Sequence, residues 1–113
     1  MSMDQQQLLT DLKALRELFS DRSRWTQGVE ARNGSGLPVA PMDPDAVCFC
    51  LLGGVIKVTD DEVRRYEALR FHISGMIFPQ YRSLIAFNDG SGYDQVQAML
   101  DRAQAKIEDW VRS

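Results

Sequence analysis

The sequence predicts a mainly α fold: a compact bundle of four main helices, a short fifth helical piece, and a small β-hairpin-like loop between helices 1 and 2. Three observations predict it. Apolar residues recur at three- and four-residue steps through most of the chain. Two segments, Asp43-Pro44-Asp45 and Thr59-Asp60-Asp61-Glu62, read as helix starts. One stretch, residues 21–43, instead carries Asn, Gly and Pro in turn-forming order.

The first helix is expected over Met3 to Phe19, where Leu8, Leu12, Leu15 and Phe19 form one face and Lys13, Arg16 and Glu17 the other. After it, two short runs flank Asn33-Gly34, a turn signal that predicts a hairpin-like loop. Pro38 confines the second run to an edge, and Trp25, Val29 and Val39 are the expected anchors to the helices. Asp43 is the expected N-cap of the second helix and Pro44 its first residue. That helix, Pro44 to Ile56, is apolar almost all round and therefore expected at the centre. Gly53 and Gly54 lie within it, each at a cost of roughly 1 kcal/mol relative to Ala. Close approach of a backbone or a large ring is the expected compensation, with Trp25 as the candidate. Thr59 and Glu62 form a capping box for the third helix, which runs to about Ser74 with Gly75 as its C-terminal cap. A short helical piece follows over Arg82 to Asn88, then a turn at Asp89–Gly92, then a final amphipathic helix from Asp94 to Val111.

With 113 residues, the chain is expected to form one domain, residues 1–113, with enough core to need no disulfide or structural metal. The net charge is −3, with acids and bases mixed along the chain, which disfavours nucleic-acid binding. Arg64, Arg65 and Arg70 sit among Asp60, Asp61, Glu62 and Glu67, the pattern of a solvated helix face. The longest apolar run, Ala46 to Ile56, is far short of the roughly 20 residues a membrane helix needs. The N-terminal residues are polar, and two cysteines two positions apart make no disulfide framework, so the expected compartment is the cytoplasm. No internal repeat is visible.

Four pieces, in order along the chain, carry a family resemblance: Trp25-Thr26-Gln27-Gly28; Ala31-Arg32-Asn33 with Leu37-Pro38-Val39; Cys50-Leu51-Leu52-Gly53-Gly54; and Phe87-Asn88-Asp89. They resemble an uncharacterised family of small helical bacterial and phage proteins. Its members show Trp-x-x-Gly, an Ala-Arg-(Asp/Asn) loop ending in Pro-Val, Cys-x-x-Gly-Ala, and an aromatic-Asn-Asp turn. Gly54 stands where that family usually has Ala, and Phe87 where it often has Trp. The resemblance supports the fold and implies no activity.

The candidate binding residues are Trp25, Gln27, Arg32, Cys50, Asn88 and Asp89. Asp89 suits a general base or a cation ligand if it lies in a cleft. The competing reading has Asn88 and Asp89 capping helix ends and bonding the following turn. Cys50 suits a nucleophile only beside a base that lowers its pKa, and His72, the only histidine, has no spacing that brings it near. In a helix, Cys48 and Cys50 point about 200° apart, so neither a disulfide nor a shared metal is expected. Trp25 with Gln27 and Arg32 suits a recognition surface, although Trp25 also suits a core plug. Gly90 and Gly92 lack the Lys and Ser/Thr of a phosphate loop. No catalytic residue, metal or cofactor is assigned.

The leading expectation is an interaction or accessory protein that binds another protein, with the 25–40 loop as its surface. The first alternative is a small hydrolase or transferase with a cleft near Cys50 and Asp89. The second is a phage-type inhibitor of a nuclease or defence system. The oligomeric state is open, with Trp110 near the end of the last helix suited either to the core or to a dimer seam.

Overall fold

The computed structural model describes residues 3–112. Five α-helices and two short strands follow in the order α1 (Met3–Leu18), β1 (Ala31–Asn33), β2 (Ala46–Phe49), α2 (Leu51–Val58), α3 (Val63–Ile77), α4 (Leu84–Gly90) and α5 (Tyr93–Arg112). A single 3-10 turn, Arg22–Arg24, leads out of α1 and is capped by Asp21, whose carboxylate accepts from the Ser23 amide. No helix among the described residues is long and apolar enough to cross a membrane.

The core forms where the apolar stripes of α1, α3 and α5 meet. Leu12 and Leu15 come from α1 and Phe19 from the turn just beyond it, Leu69, Ile73 and Ile77 from α3, and Val96, Met99, Leu100, Ala103 and Ile107 from α5. Leu51 and Val55 of α2, Leu84 and Phe87 of α4, and Ala31 and Phe49 of the ribbon close one end of it. The three- and four-residue spacing predicted for the first and last helices is the spacing of these buried residues.

The second helix begins later than its start signal predicts. Asp43 folds a turn in which its carboxylate accepts from the Asp45 amide at 2.8 Å and its carbonyl from the Ala46 amide at 3.0 Å. The chain then extends as β2 and pairs antiparallel with β1, Ala31 opposite Phe49 and Arg32 opposite Cys48. The physical reason is pairing with β1. Arg32 opposes Cys48 and Asn33 opposes Ala46, so Val47 is the extra residue of a bulge and stands half-exposed while Phe49 turns into the core. Cys48 is therefore a strand residue, and Cys50 is the N-cap of α2, its Sγ accepting from the Gly53 amide at 3.3 Å.

The hairpin-like loop exists in a different pairing. Asn33 and Gly34 do turn the chain: Gly36 N–H donates to Asn33 C=O and Asn33 N–H to Leu37 C=O, both at 2.9 Å. The returning run meets β1 at an Arg32–Pro38 bridge, formed by Asn33 N–H donating to Leu37 C=O and Val39 N–H to Ala31 C=O, so the N–H that Pro38 lacks is not called on. The partner strand of β1 is β2.

Two further boundaries move. Thr59 closes α2 instead of opening α3, its hydroxyl donating to Val55 C=O at 2.7 Å. Glu62 is the N-cap of α3, accepting from the Arg64 and Arg65 amides, so the acidic run works one turn later than a capping box at Thr59 requires. Asp60 and Asp61 between them adopt left-handed backbone, φ 57° and 56°. Gly75 does not end α3, which continues to Ile77 with Phe78 as its C-cap. Lastly, the Arg64–Arg65–Arg70 face is not wholly solvated. Arg65 reaches back to α1, where Nη2 and Nε donate to the two oxygens of buried Asp11 at 2.7 and 3.1 Å.

Candidate functional site

Four of the six candidate residues meet at one corner, where the loop after α1 crosses the α4–α5 junction. Asn88, in the last turn of α4, is fully buried. Its Oδ1 accepts from Trp25 Nε1 at 2.6 Å and from the Leu51 amide at 2.9 Å. Its Nδ2 donates to Thr26 C=O at 3.0 Å and to Asp89 Oδ1 at 3.3 Å. The indole and the Leu51 amide can only donate, so the oxygen must face them, and the orientation of the amide is fixed by chemistry. Asn88 thereby caps α2, a helix other than its own, and holds the Trp25–Thr26 segment by two bonds.

The neighbouring residues extend the same clamp. Gln27 Nε2 donates to the carbonyls of Asn88, Asp89 and Ser91 at 2.9, 3.3 and 2.8 Å, satisfying the C-terminal end of α4. Asp89 Oδ1 accepts from the Gly28 amide at 3.0 Å. Arg32 folds along its own loop, donating from Nε to Thr26 Oγ1, from Nη2 to Gln27 C=O and from Nη1 to Gly36 C=O. Trp25 stands edge-on to Tyr93, whose hydroxyl donates to Phe19 C=O at the end of α1.

Trp25 does not cover the paired glycines. A methyl group on Gly53 would lie 2.0 Å from Glu30 C=O, so the loop backbone itself is seated there. One on Gly54 would lie 2.7 Å from the Phe19 ring and 2.9 Å from Leu15. The expected compensation, a close backbone and a large ring, is present, but it comes from Glu30 and Phe19.

Cys50 and Asp89 line a cavity of about 160 Å³ together with Gly28, Val29, Glu30 and Ile85. The Cys50 thiol is pushed up, chiefly by burial and further by the charges of Glu30 and Asp89, while the amides of Gly53 and Leu52 pull it down less. A nucleophile needs the opposite balance. His72 belongs to another region: its Nε2 meets Ala103 C=O at 2.9 Å and its ring lies 5.3 Å from that of Trp110. Burial, with Lys106 nearby, lowers the His72 pKa despite the bond to Ala103. Among the described residues no group of three or more His, Cys, Asp or Glu side chains is placed to hold a metal ion.

The sequence reading picked out Trp25, Gln27, Arg32, Asn88 and Asp89 without showing that they form one network. It missed Thr26, Ser91 and the Leu51 amide, whose parts are backbone bonds that no side-chain pattern announces. Glu30, too, could be found only from the fold, since its role is a carbonyl pressed against Gly53.

A family profile, described as a family of unknown function (DUF6197), matches residues 3–106. No curated protein and no solved structure matches the chain. The matched span takes in α1 to α4, most of α5 and all four pieces that carry the resemblance, and the chain belongs to this family.

Proposed function

We propose that the protein is a non-catalytic interaction module that binds another protein through the face of its ribbon. The observation that carries this reading is the state of Asn88: all four of its hydrogen-bonding positions are taken up inside the chain, so the residue most suggestive of a site serves the fold. Burial raises the Cys50 pKa, with Glu30 and Asp89 adding to it, and the histidine that would activate it packs between α3 and α5. The Cys50–Asp89 cavity is thus lined by carboxylates and not by a histidine, which disfavours a hydrolase or transferase working through the thiol.

The clamp makes the loop rigid, and its outer side carries apolar side chains. Leu37 is 61% exposed and Val47 51%, with Met42 also exposed between the two in sequence. A fixed backbone presenting apolar side chains loses little entropy on docking, which favours binding. A reducing compartment such as the cytoplasm suits the two free cysteines. For a nuclease inhibitor the support is limited to small size and a net charge of −3.

The test is affinity capture from a host lysate with the wild type and with the double variant Leu37→Asp/Val47→Asp. Both side chains are exposed, so the variant folds, and circular dichroism verifies it. A protein retained by the wild type and lost by the variant supports the reading; identical capture by both overturns it. In parallel, a thiol reagent that modified Cys50 in the folded protein as fast as in denaturant would favour the enzyme reading.

A further inference from the structure

We propose that the cleft between α2, α3 and α4 binds a small carboxylate with an apolar body. The cleft has a volume of about 280 Å³ and shares no residue with the exposed face of the ribbon. Leu52 of α2 and Leu84 and Ile85 of α4 form its apolar side. Tyr66 and Arg70 of α3, with Ser83 at the start of α4, form its polar side. Among the described residues, no carboxylate lines it.

The hydrogen-bond donors select the ligand. Arg65 spends its guanidinium on Asp11, Arg16 on Asp101 and Gln104, and Arg32 on three oxygens of its own loop. Arg70 is half-buried, and among the described residues its guanidinium has neither an ion-pair nor a hydrogen-bond partner. The Tyr66 hydroxyl likewise has no hydrogen-bond partner among them.

Both groups are nonetheless held in place. The guanidinium lies over the Tyr66 ring, 5.8 Å from its centroid and one helical turn away, and the ring packs against the core. Ser74 donates its proton to Arg70 C=O at 2.8 Å and is left an acceptor. Ser83 does the reverse. As N-cap of α4 its Oγ accepts from the Ala86 amide at 3.0 Å, which leaves the O–H proton to donate. Guanidinium, phenol and serine hydroxyl thus offer the cleft three kinds of donor and a single full charge.

That balance decides the class. A carboxylate carries one charge and matches the guanidinium fork with two parallel hydrogen bonds. A phosphate or polyanion brings more charge than one arginine neutralises, to a chain whose net charge is −3. The apolar side calls for a hydrocarbon body, since Ile85 is 46% exposed and gains cover from one. Ligand sites commonly span roughly 300–1,000 Å³. A cleft at or below the lower end takes a small molecule, such as an aromatic acid or a short branched-chain acid.

Titration of benzoate and of isovalerate, followed by amide NMR, tests this. Saturable shifts are expected at Leu52, Arg70, Leu84 and Ile85, and none with benzyl alcohol or inorganic phosphate. Arg70→Gln weakens binding about tenfold or more. Tyr66→Phe, which keeps the ring and removes the hydroxyl, weakens it by a smaller factor. Thermal unfolding of both variants verifies that the fold is kept. No saturable shift with either acid at tens of millimolar, shifts that benzyl alcohol reproduces, or an affinity indifferent to both substitutions overturns the proposal. Tighter binding of N-acetylglutamate amide than of either acid would assign the cleft to an acidic side chain of a partner protein, and overturns it as well.

Discussion

The corner around Asn88 and the outer face of α3 are built from similar materials and end in opposite states. Both contain aromatic residues beside helix glycines. At the corner, Gly53 and Gly54 receive a backbone carbonyl and a phenyl ring, and Trp25 finds a hydrogen-bond partner. On α3, Gly75 receives nothing and Phe71 and Phe78 stand in solvent. A glycine in a helix carries a cost in both places. Where the chain itself fills the space, the cost is offset by packing within the fold; at Gly75 no group of the chain offsets it.

The difference is broken most severely at Gly53. Gly53→Ala puts a methyl group against a main-chain carbonyl that cannot swing away, and is expected to destabilise by about 3–5 kcal/mol. Denaturant unfolding would show the midpoint falling with little change in slope; a midpoint within error of the wild type would mean that the loop is not seated on α2. Asn88→Ala comes next. It strands the Trp25 indole and the Leu51 amide, for an expected loss of about 2–4 kcal/mol. Asn88→Asp should recover only part of this, because its second oxygen would face Thr26 C=O at the distance now bridged by Nδ2.

Gly75→Ala sharpens the contrast by reversing the sign. With open space around it, the substitution should stabilise the protein by about 0.5–1 kcal/mol, raising the melting temperature by several degrees. A drop in stability would show that α3 needs the glycine within the chain. The smallest expected effect is at His72, which packs against α5. Its folded pKa lies below the ordinary 6.5, so the unfolded chain takes up the proton more readily. Stability is therefore full above that value and falls as the pH drops below it towards the folded pKa. His72→Phe should flatten this dependence in unfolding measured across the same range; an unchanged slope would move its origin to another group.

Legibility in the sequence followed the range of the interaction. The stripes of the first and last helices were readable because Leu12, Leu15, Phe19, Val96, Met99 and Ala103 bury at the spacing of the helix itself. The run Ala46 to Ile56 was not, because a run apolar at nearly every position shows no period by which a strand could be told from a helix. Pro44 after Asp43 suits a turn as well as a helix start, and only the presence of Ala31–Asn33 alongside makes Ala46–Phe49 a strand. The capping box failed for a related reason: Thr59 has a carbonyl of its own helix within reach, and Glu62 has two amides. At the candidate site, the residue types were visible and the partners were not. Asn88 bonds residues 63, 62 and 37 positions away, separations over which sequence has no periodicity to reveal them.

The sequence by itself determined that the chain is mainly helical, which faces of its first and last helices are buried, and that a turn lies at Asn33-Gly34. These depend on side-chain spacing and local backbone preference, which act over a few residues. Only the tertiary structure decided that β2 exists, that Cys50 caps a helix, and that Asn88 joins loop, α2 and α4 in one clamp. Those outcomes depend on which distant groups arrive in hydrogen-bonding range, and that is settled when the helices pack.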